Sequence, residues 1–181
     1  DLAGLEDSIA LSKKMGITTL NKDSSFYGLP LVLGSGDVKL LDMVSAYGVF
    51  ANGGYRIDPS PILRIEDSNG NVIYQNKKTP RKVLETDVCS LITDILSDNA
   101  ARSPLFGWNS VLYFPEPPKV AVKTGTTNNA VDGWTIGYTT DICIGTWSGN
   151  NDRTPMQGAM GGISAAPIWR RVMQKYIEDN Y

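Results

Sequence analysis

The sequence predicts an α+β fold, an antiparallel sheet flanked by helices. Three observations lead there. The periodicity changes along the chain in the order helix, hairpin, helix, meander, helix. Asn69-Gly70 stands between two short apolar runs, a strong hairpin signal. Thr140-Asp141 is a connection short enough to make the runs on either side an antiparallel pair.

From Asp1 to Met15, Leu2, Leu5, Ile9 and Leu11 recur at roughly helical spacing, with Asp1 as the expected cap and Gly16 as the stop. A loop rich in Ser, Asn, Gly and Pro is expected up to Gly36. Asp37 then caps a second helix with the stripe Leu40, Val44, Tyr47, Ala51, ended by Asn52-Gly53-Gly54, which accept positive φ. Ile62 to Glu66 and Val72 to Tyr74 form the hairpin. Val88, Leu91, Ile92, Ile95 and Leu96 mark an amphipathic helix. The aperiodic, Pro- and aromatic-rich stretch from Ser103 to Pro118 reads as a loop. Three strands follow: Lys119 to Gly125, Gly133 to Thr139 and Ile142 to Trp147. After a polar loop from Ser148 to Ile163, Ser164 caps a last helix with Pro167 in its first turn and Ile168, Val172, Met173 and Tyr176 on one face. Trp169 is expected in the core against the sheet.

The chain has 181 residues, 41% of them hydrophobic, enough for one globular core. A net charge of −2 argues against nucleic acid as a partner. No apolar run approaches the roughly 20 residues that span a bilayer, and no signal peptide opens the chain. The start at Asp1 without Met suggests a processed or trimmed chain, with any membrane anchor upstream. Cys89 and Cys143 are too few for a disulfide scaffold and read as two separate buried thiols. Histidine is absent, which removes His-based triads and nearly every ordinary zinc site. No cofactor or metal is expected, and acid–base chemistry falls to Lys, carboxylate or hydroxyl groups.

The informative motif is Lys123-Thr124-Gly125-Thr126-Thr127, at the end of a strand before Asn128-Asn129. An ammonium and neighbouring hydroxyls suit the capture of a peptide carboxylate. Gly125, lacking a side chain, lets an extended ligand backbone lie against the strand. The Thr126 N–H is placed to serve as one arm of an oxyanion hole. Taken alone, a Lys-Thr-Gly triplet is weak.

It does not stand alone. Asp132-Gly133-Trp134, Gly137-Tyr138-Thr139 and Gly145-Thr146-Trp147-Ser148-Gly149-Asn150 follow, while Leu33-Gly34-Ser35-Gly36-Asp37-Val38, Ala46 to Gly54 and the strand region Pro61 to Tyr74 precede it. In this order the motifs resemble the end of class A penicillin-binding proteins, the bifunctional peptidoglycan synthases of bacteria, over essentially the whole chain. The resemblance implies that residues 1–181 are the C-terminal portion of a transpeptidase domain, a partial serine β-lactamase/transpeptidase-like fold. It also implies an activity for the parent: a serine in Ser-x-x-Lys attacks the D-alanyl-D-alanine end of a peptidoglycan stem peptide, and a second strand's amine resolves the acyl-enzyme. β-Lactams acylate the same serine. Lys123 is the implied catalytic residue, with Thr124, Gly125 and Thr126 holding the substrate carboxylate and completing the oxyanion hole. The implied partners are the stem peptide, β-lactams and the N-terminal remainder of the domain, at the extracytoplasmic face of the bacterial membrane, which this segment itself does not contact.

No serine of the chain is followed three residues later by lysine, so the nucleophile is expected before Asp1 and the chain is expected to be inert by itself. Ser97-Asp98-Asn99 looks like the family's middle Ser-x-Asn motif but lies too late in the chain, and fits a helix end and turn. Thr19 to Lys22 and Thr79 to Lys82 have Thr-x-x-Lys spacing and read as surface loops. Asp132 reads as a turn residue bonding backbone N–H groups and Trp134 as sheet core, whereas Trp108, Tyr113 and Phe114 suit either a cleft wall or packing. Two other readings remain open: a non-catalytic peptidoglycan- or β-lactam-binding module, and one half of a split enzyme. Strands missing from the sheet are expected to leave an apolar face or strand edge uncovered.

Overall fold

Helix α1 (Leu5–Met15) places Glu6 and Asp7 in its first turn and Lys13 and Lys14 in its last, matching the helix dipole. It stops at Gly16, where φ is 122° and the backbone N–H returns to the carbonyls of Ser12 and Lys13. The computed structural model describes residues 3–156 and 164–181. Asp1, the expected cap, lies outside them, and Gly4 holds the cap position. The expected loop up to Gly36 contains a one-turn helix, α2 (Ser24–Tyr27), and a 3₁₀ turn at Leu29–Leu33.

Helix α3 (Leu40–Ala51) starts after Lys39 rather than Asp37, whose backbone carbonyl instead accepts a 2.5 Å bond from Thr19 Oγ1. It is apolar on two sides. Ala46 and Val49 join Ile9, Met15, Ile17, Leu20 and Tyr27 in one core, while Leu40 and Val44 press on the sheet at Gly145 and Tyr47 meets Tyr138 edge-on at 6.3 Å. Its buried Asp42 carboxylate accepts the Thr18 N–H at 2.7 Å and the Thr18 hydroxyl at 2.6 Å, tying α3 to the segment after α1.

Strand β1 (Tyr55–Arg56) pairs with β4 (Arg81–Lys82), a contact too short to show as periodicity. Between them stands the expected hairpin of β2 (Arg64–Glu66) and β3 (Val72–Gln75), exposed on both faces. The Asp67 carboxylate closes its turn by accepting the N–H groups of Asn69 and Asn71 and the Asn71 side-chain amide, and these bonds hold it below its ordinary pKa.

Helix α4 (Thr86–Ser97) forms as predicted but is rotated from the predicted face. Cys89 is the buried residue and Thr93 reaches the Tyr138 hydroxyl at 2.9 Å, while Val88, Leu91 and Ile95 point outward, Ile95 being 67% exposed. The expected apolar face thus exists, and it is uncovered among the described residues. Helix α5 (Asn99–Phe106) corrects the loop assignment after Ser103. Asp98 caps it by accepting the Ala101 N–H at 2.9 Å. Pro104 is tolerated inside it because Ser103 Oγ donates to the Ala100 carbonyl at 2.9 Å, replacing the bond that proline cannot make.

The central sheet has the order β5 (Ala121–Thr126), β6 (Asp132–Tyr138), β7 (Cys143–Gly149), antiparallel throughout. Thr139 Oγ1 accepts the Asp141 N–H at 3.1 Å in the expected tight turn between β6 and β7. The last helix, α6 (Ala166–Asn180), begins after Ala165 rather than at a Ser164 cap. Its buried face is Ala166, Trp169 and Met173; Ile168 and Val172 are exposed. Trp169 lies against the sheet as expected and Met173 is buried with the predicted stripe, whereas Ile168 and Val172 turn away because the indole fills the space over Gly137, where a Cβ would stand 2.3 Å from its Cζ2. Trp169 is fully buried, and its Nε1–H donates to the Ile144 carbonyl at 3.1 Å. Leu112, Val120 and Val122 complete this second core. Both cysteines are free thiols, Cys89 buried and Cys143 half-buried. Among the described residues no helix is long and apolar enough to cross a membrane.

Candidate functional site

Among the described residues, strand β5 lies at the edge of the central sheet, with β6 on one side. Its residues Ala121 to Thr126 pair in unbroken register with Tyr138 to Gly133. The Thr127 N–H donates to the Asp132 carbonyl at 3.1 Å, one residue beyond the strand. Antiparallel pairs alternate, so Gly125 and Lys123 also turn their backbone groups toward β6, and Thr126 and Thr124 turn theirs to the outer edge. The Thr124 carbonyl is on that edge, where it accepts a 2.6 Å bond from Lys123 Nζ.

Side chains divide between the two faces. Ala121, Lys123 and Gly125 share the face covered by α3 and α4, while Val122, Thr124 and Thr126 share the face of α6. Burial falls along β5 from Ala121 and Val122, both buried, to Lys123 and Thr126, both exposed. The structure therefore brings all four predicted positions to one open strand end, with the Lys123 ammonium at the solvent side. Gly125 stands opposite Trp134, and a Cβ there would meet the Trp134 Cβ at 3.6 Å, an ordinary contact; the glycine's role is to leave that face low rather than to avoid a clash.

The turn after β5 is held by side chains. Asp132 Oδ2 accepts from Thr127 Oγ1 at 3.0 Å, the Asp132 N–H donates to Thr127 Oγ1 at 2.8 Å, and Asp132 Oδ1 accepts from the Trp147 indole at 2.9 Å. Asp132 thus has the turn role expected of it. Trp134 is half-buried beside Gly125 rather than in the deep core. The Trp147 contact is one that sequence reasoning missed, because it joins residues on neighbouring strands at a diagonal that only the register sets.

Ser97-Asp98-Asn99 is occupied structurally. Ser97 Oγ donates to the Thr93 carbonyl at 2.8 Å, Asp98 caps α5, and the buried Asn99 donates its amide to the Trp108 carbonyl at 2.9 Å. The Thr-x-x-Lys pairs are likewise engaged: Thr19 with the Asp37 carbonyl, Lys22 over the Phe26 ring at 4.0 Å, and Lys82 with Glu85 at 2.5 Å. Phe114 packs edge-on against Trp169 at 5.9 Å with Arg170 over its ring at 3.7 Å, and Tyr113 lies beside a largely exposed Trp108. Two open concavities among the described residues lie near Lys22, Asp23 and Ser25, away from β5. No cluster of three His, Cys, Asp or Glu able to hold a metal occurs among the described residues.

Comparison with known proteins places this arrangement. Penicillin-binding protein 1A of Clostridium acetobutylicum is 29% identical over 177 residues, 96% of this chain and 21% of that protein. Penicillin-binding protein 1A of Aquifex aeolicus is 33% identical over 174 residues, covering 93% of this chain and 22% of that protein. The chain thus spans about a fifth of the length of such relatives. Among solved structures, penicillin-binding protein 1A from Haemophilus influenzae superposes with a TM-score of 0.82 at 21% identity, covering 99% of this chain and 32% of that one. PonA1 from Mycobacterium tuberculosis, solved in complex with penicillin V, gives 0.81 at 22% identity over 98% of this chain and 50% of that one. These likenesses bear out the fold and the class A resemblance. The model of the penicillin binding protein transpeptidase domain matches residues 11–174, and the chain belongs to that family.

Proposed function

We propose that this chain is the C-terminal portion of a peptidoglycan D,D-transpeptidase domain, and that it supplies the strand on which the substrate's terminal peptide docks. The observation that carries the reading is the open β5 edge, with the Lys123 ammonium at its exposed end and the Thr124 and Thr126 backbone directed outward. An extended peptide adding to that edge gains main-chain hydrogen bonds, and its terminal carboxylate finds the Lys123 ammonium. The Lys123 ammonium donates to the Thr124 backbone carbonyl, a weaker acceptor than a carboxylate, so ligand binding replaces that bond with a stronger one. A β-lactam carries a carboxylate in the corresponding place, and penicillin V is bound by the related PonA1.

The acyl-forming serine comes, in this reading, from an N-terminal remainder of the domain, because no Ser-x-x-Lys occurs in the sequence. The same remainder is the natural cover for the exposed Val88, Leu91 and Ile95 face of α4. The parent works at the extracytoplasmic face of the bacterial membrane, where its peptide substrate is found. Fluorescent penicillin separates this reading from its rivals. The chain alone stays unlabelled, and mixing it with an amino-terminal segment bearing Ser-x-x-Lys restores covalent label on that segment. Label on this chain by itself overturns the proposal, and failure of the complete parent to label supports a non-catalytic module.

A further inference from the structure

On the Lys123 face of the sheet, three rows run across the strands: Lys123, Ile136 and Gly145; Gly125, Trp134 and Trp147; Thr127, Asp132 and Gly149. The Asp132 carboxylate joins the last two rows. One oxygen takes the Thr127 hydroxyl and the other takes the Trp147 indole N–H, so a single side chain on β6 fastens the end of β5 to β7. The indole lies close over Gly149, where a Cβ would stand 2.5 Å from Trp147 Cζ2 and 2.9 Å from the Val131 carbonyl. A side chain at 149 would therefore displace the ring that Asp132 holds.

The backbone held in place here does not rest easily. Asn129 and Ala130, directly after Thr127, have φ of 61° and 53°, left-handed values that cost a non-glycine residue free energy. Two neighbouring residues in that region persist only when their surroundings oblige them to. The turn is restrained by the Thr127–Asp132 bonds, the Ala130 N–H to the Thr127 carbonyl at 3.1 Å, and the Met156 N–H to the Ala130 carbonyl at 3.0 Å. Without the Asp132 bonds, the turn is free to relax toward ordinary φ, and relaxation moves the adjoining residues, Thr126 and Thr127, first.

We infer that Asp132, with Thr127 and Trp147, forms a positioning clasp that holds the end of β5 in register for ligand, so that Asp132 governs the rate of acylation without touching the ligand. The inference rests on the β5 reading above. In that reading the Thr126 N–H polarises the reacting carbonyl, and its distance to the carbonyl oxygen is set by where the chain turns at Thr127. A shift of about 1 Å at such a group lowers reaction rates by as much as about a hundredfold. Asp132 is a positioning residue because its two carboxylate oxygens are engaged by the Thr127 hydroxyl and the Trp147 indole, so it acts on ligand through them.

The experiment uses the full-length parent protein and measures acylation by fluorescent penicillin, with reversible binding and the acylation step resolved by varying its concentration. Asp132→Ala is expected to slow the acylation step about 10- to 100-fold while changing reversible binding far less. Asp132→Asn retains an acceptor for Trp147 and a donor for the Thr127 oxygen, and is expected to recover most of that loss. Trp147→Phe keeps an aromatic side chain but removes the N–H and part of the ring over Gly149, with an expected loss of several-fold. Hydrogen exchange read on peptides spanning 123–131 is expected to quicken in Asp132→Ala and not over 119–122. Lys123→Ala, measured alongside, separates the two layers. Impaired Lys123→Ala with an unimpaired Asp132→Ala overturns the clasp alone, and an unimpaired Lys123→Ala overturns the β5 reading. If Asp132→Ala lowers only the thermal midpoint, with acylation and exchange unchanged well below it, the residue is a scaffold element and the inference fails.

Discussion

Replacing Gly137 by alanine tests how the sheet is seated on the last helix. The added Cβ would stand 2.3 Å from Trp169 Cζ2, 3.0 Å from Trp169 Cε2 and 2.7 Å from the Ala121 carbonyl oxygen. Relieving the first contact requires the indole to retreat by about 1 Å, to the ordinary carbon–carbon separation. It has nowhere to go. The ring is fully buried, its N–H is bonded to the Ile144 carbonyl, and Phe114 stands edge-on behind it. Overpacking of this kind costs about 1–3 kcal/mol, and a stretched or broken buried hydrogen bond adds about 1–3 kcal/mol, so Gly137→Ala is expected to lose about 2–6 kcal/mol. Gly48→Ala is the matched control. Gly48 lies inside α3, a Cβ there meets nothing within 4 Å, and alanine is expected to stabilise by about 0.5–1 kcal/mol through helix propensity. Urea unfolding followed by tryptophan fluorescence reads both, with the slope compared to exclude a change in the unfolded state. A Gly137→Ala midpoint indistinguishable from the parent would refute the reasoning, because the indole would then be free to move.

Three further outcomes are expected. Lys123→Ala in the parent protein lowers the rate of acylation by fluorescent penicillin about 10- to 100-fold, the worth of one hydrogen bond to a charged group, and unchanged acylation removes Lys123 from the site. Asp42→Ala leaves the Thr18 N–H without its acceptor in a buried place and costs about 1–3 kcal/mol in urea unfolding; a change under about 0.5 kcal/mol would mean that water replaces the carboxylate. Burial pushes the Cys143 thiol from its ordinary 9.0 up to about 12, and raises Cys89 as well. The folded state therefore keeps Cys143 protonated where the unfolded state ionises. Its contribution is complete below about pH 9 and is lost as pH rises toward 12, so the urea midpoint falls over that range, and Cys143→Ala flattens the fall.

Much of the architecture was legible because it depends on local chemistry. The Asn69-Gly70 turn, the stop at Gly16, Pro167 in the first turn of α6 and the three central strands all follow from backbone preferences and alternation within a few residues. The Lys123 to Thr126 positions were placed on one strand end for the same reason. Where the reading missed, the deciding partner was distant in sequence. The stripe of α4 predicted a buried face at Val88, Leu91 and Ile95, yet Thr93 bonding to Tyr138 turns the helix the other way. In α6 the expected core residues Met173 and Trp169 are buried, but Ile168 and Val172 are exposed, because the Trp169 indole takes the space over Gly137. The helix at Asn99–Phe106 was hidden by Pro104, whose missing hydrogen bond is replaced by the Ser103 hydroxyl.

The order of residues by itself determined the helices α1, α3, α4 and α6, the hairpin and the three central strands, that the final strands run antiparallel, and that a cation, hydroxyls and a glycine share one strand end. The tertiary structure alone decided that β5 is an edge strand, which face of each helix is buried, and that Asp132 meets Trp147. The physical reason is range. Backbone propensity, capping and alternation act between residues a few positions apart, whereas edge, face and register are set by packing between segments that the chain brings together only when it folds.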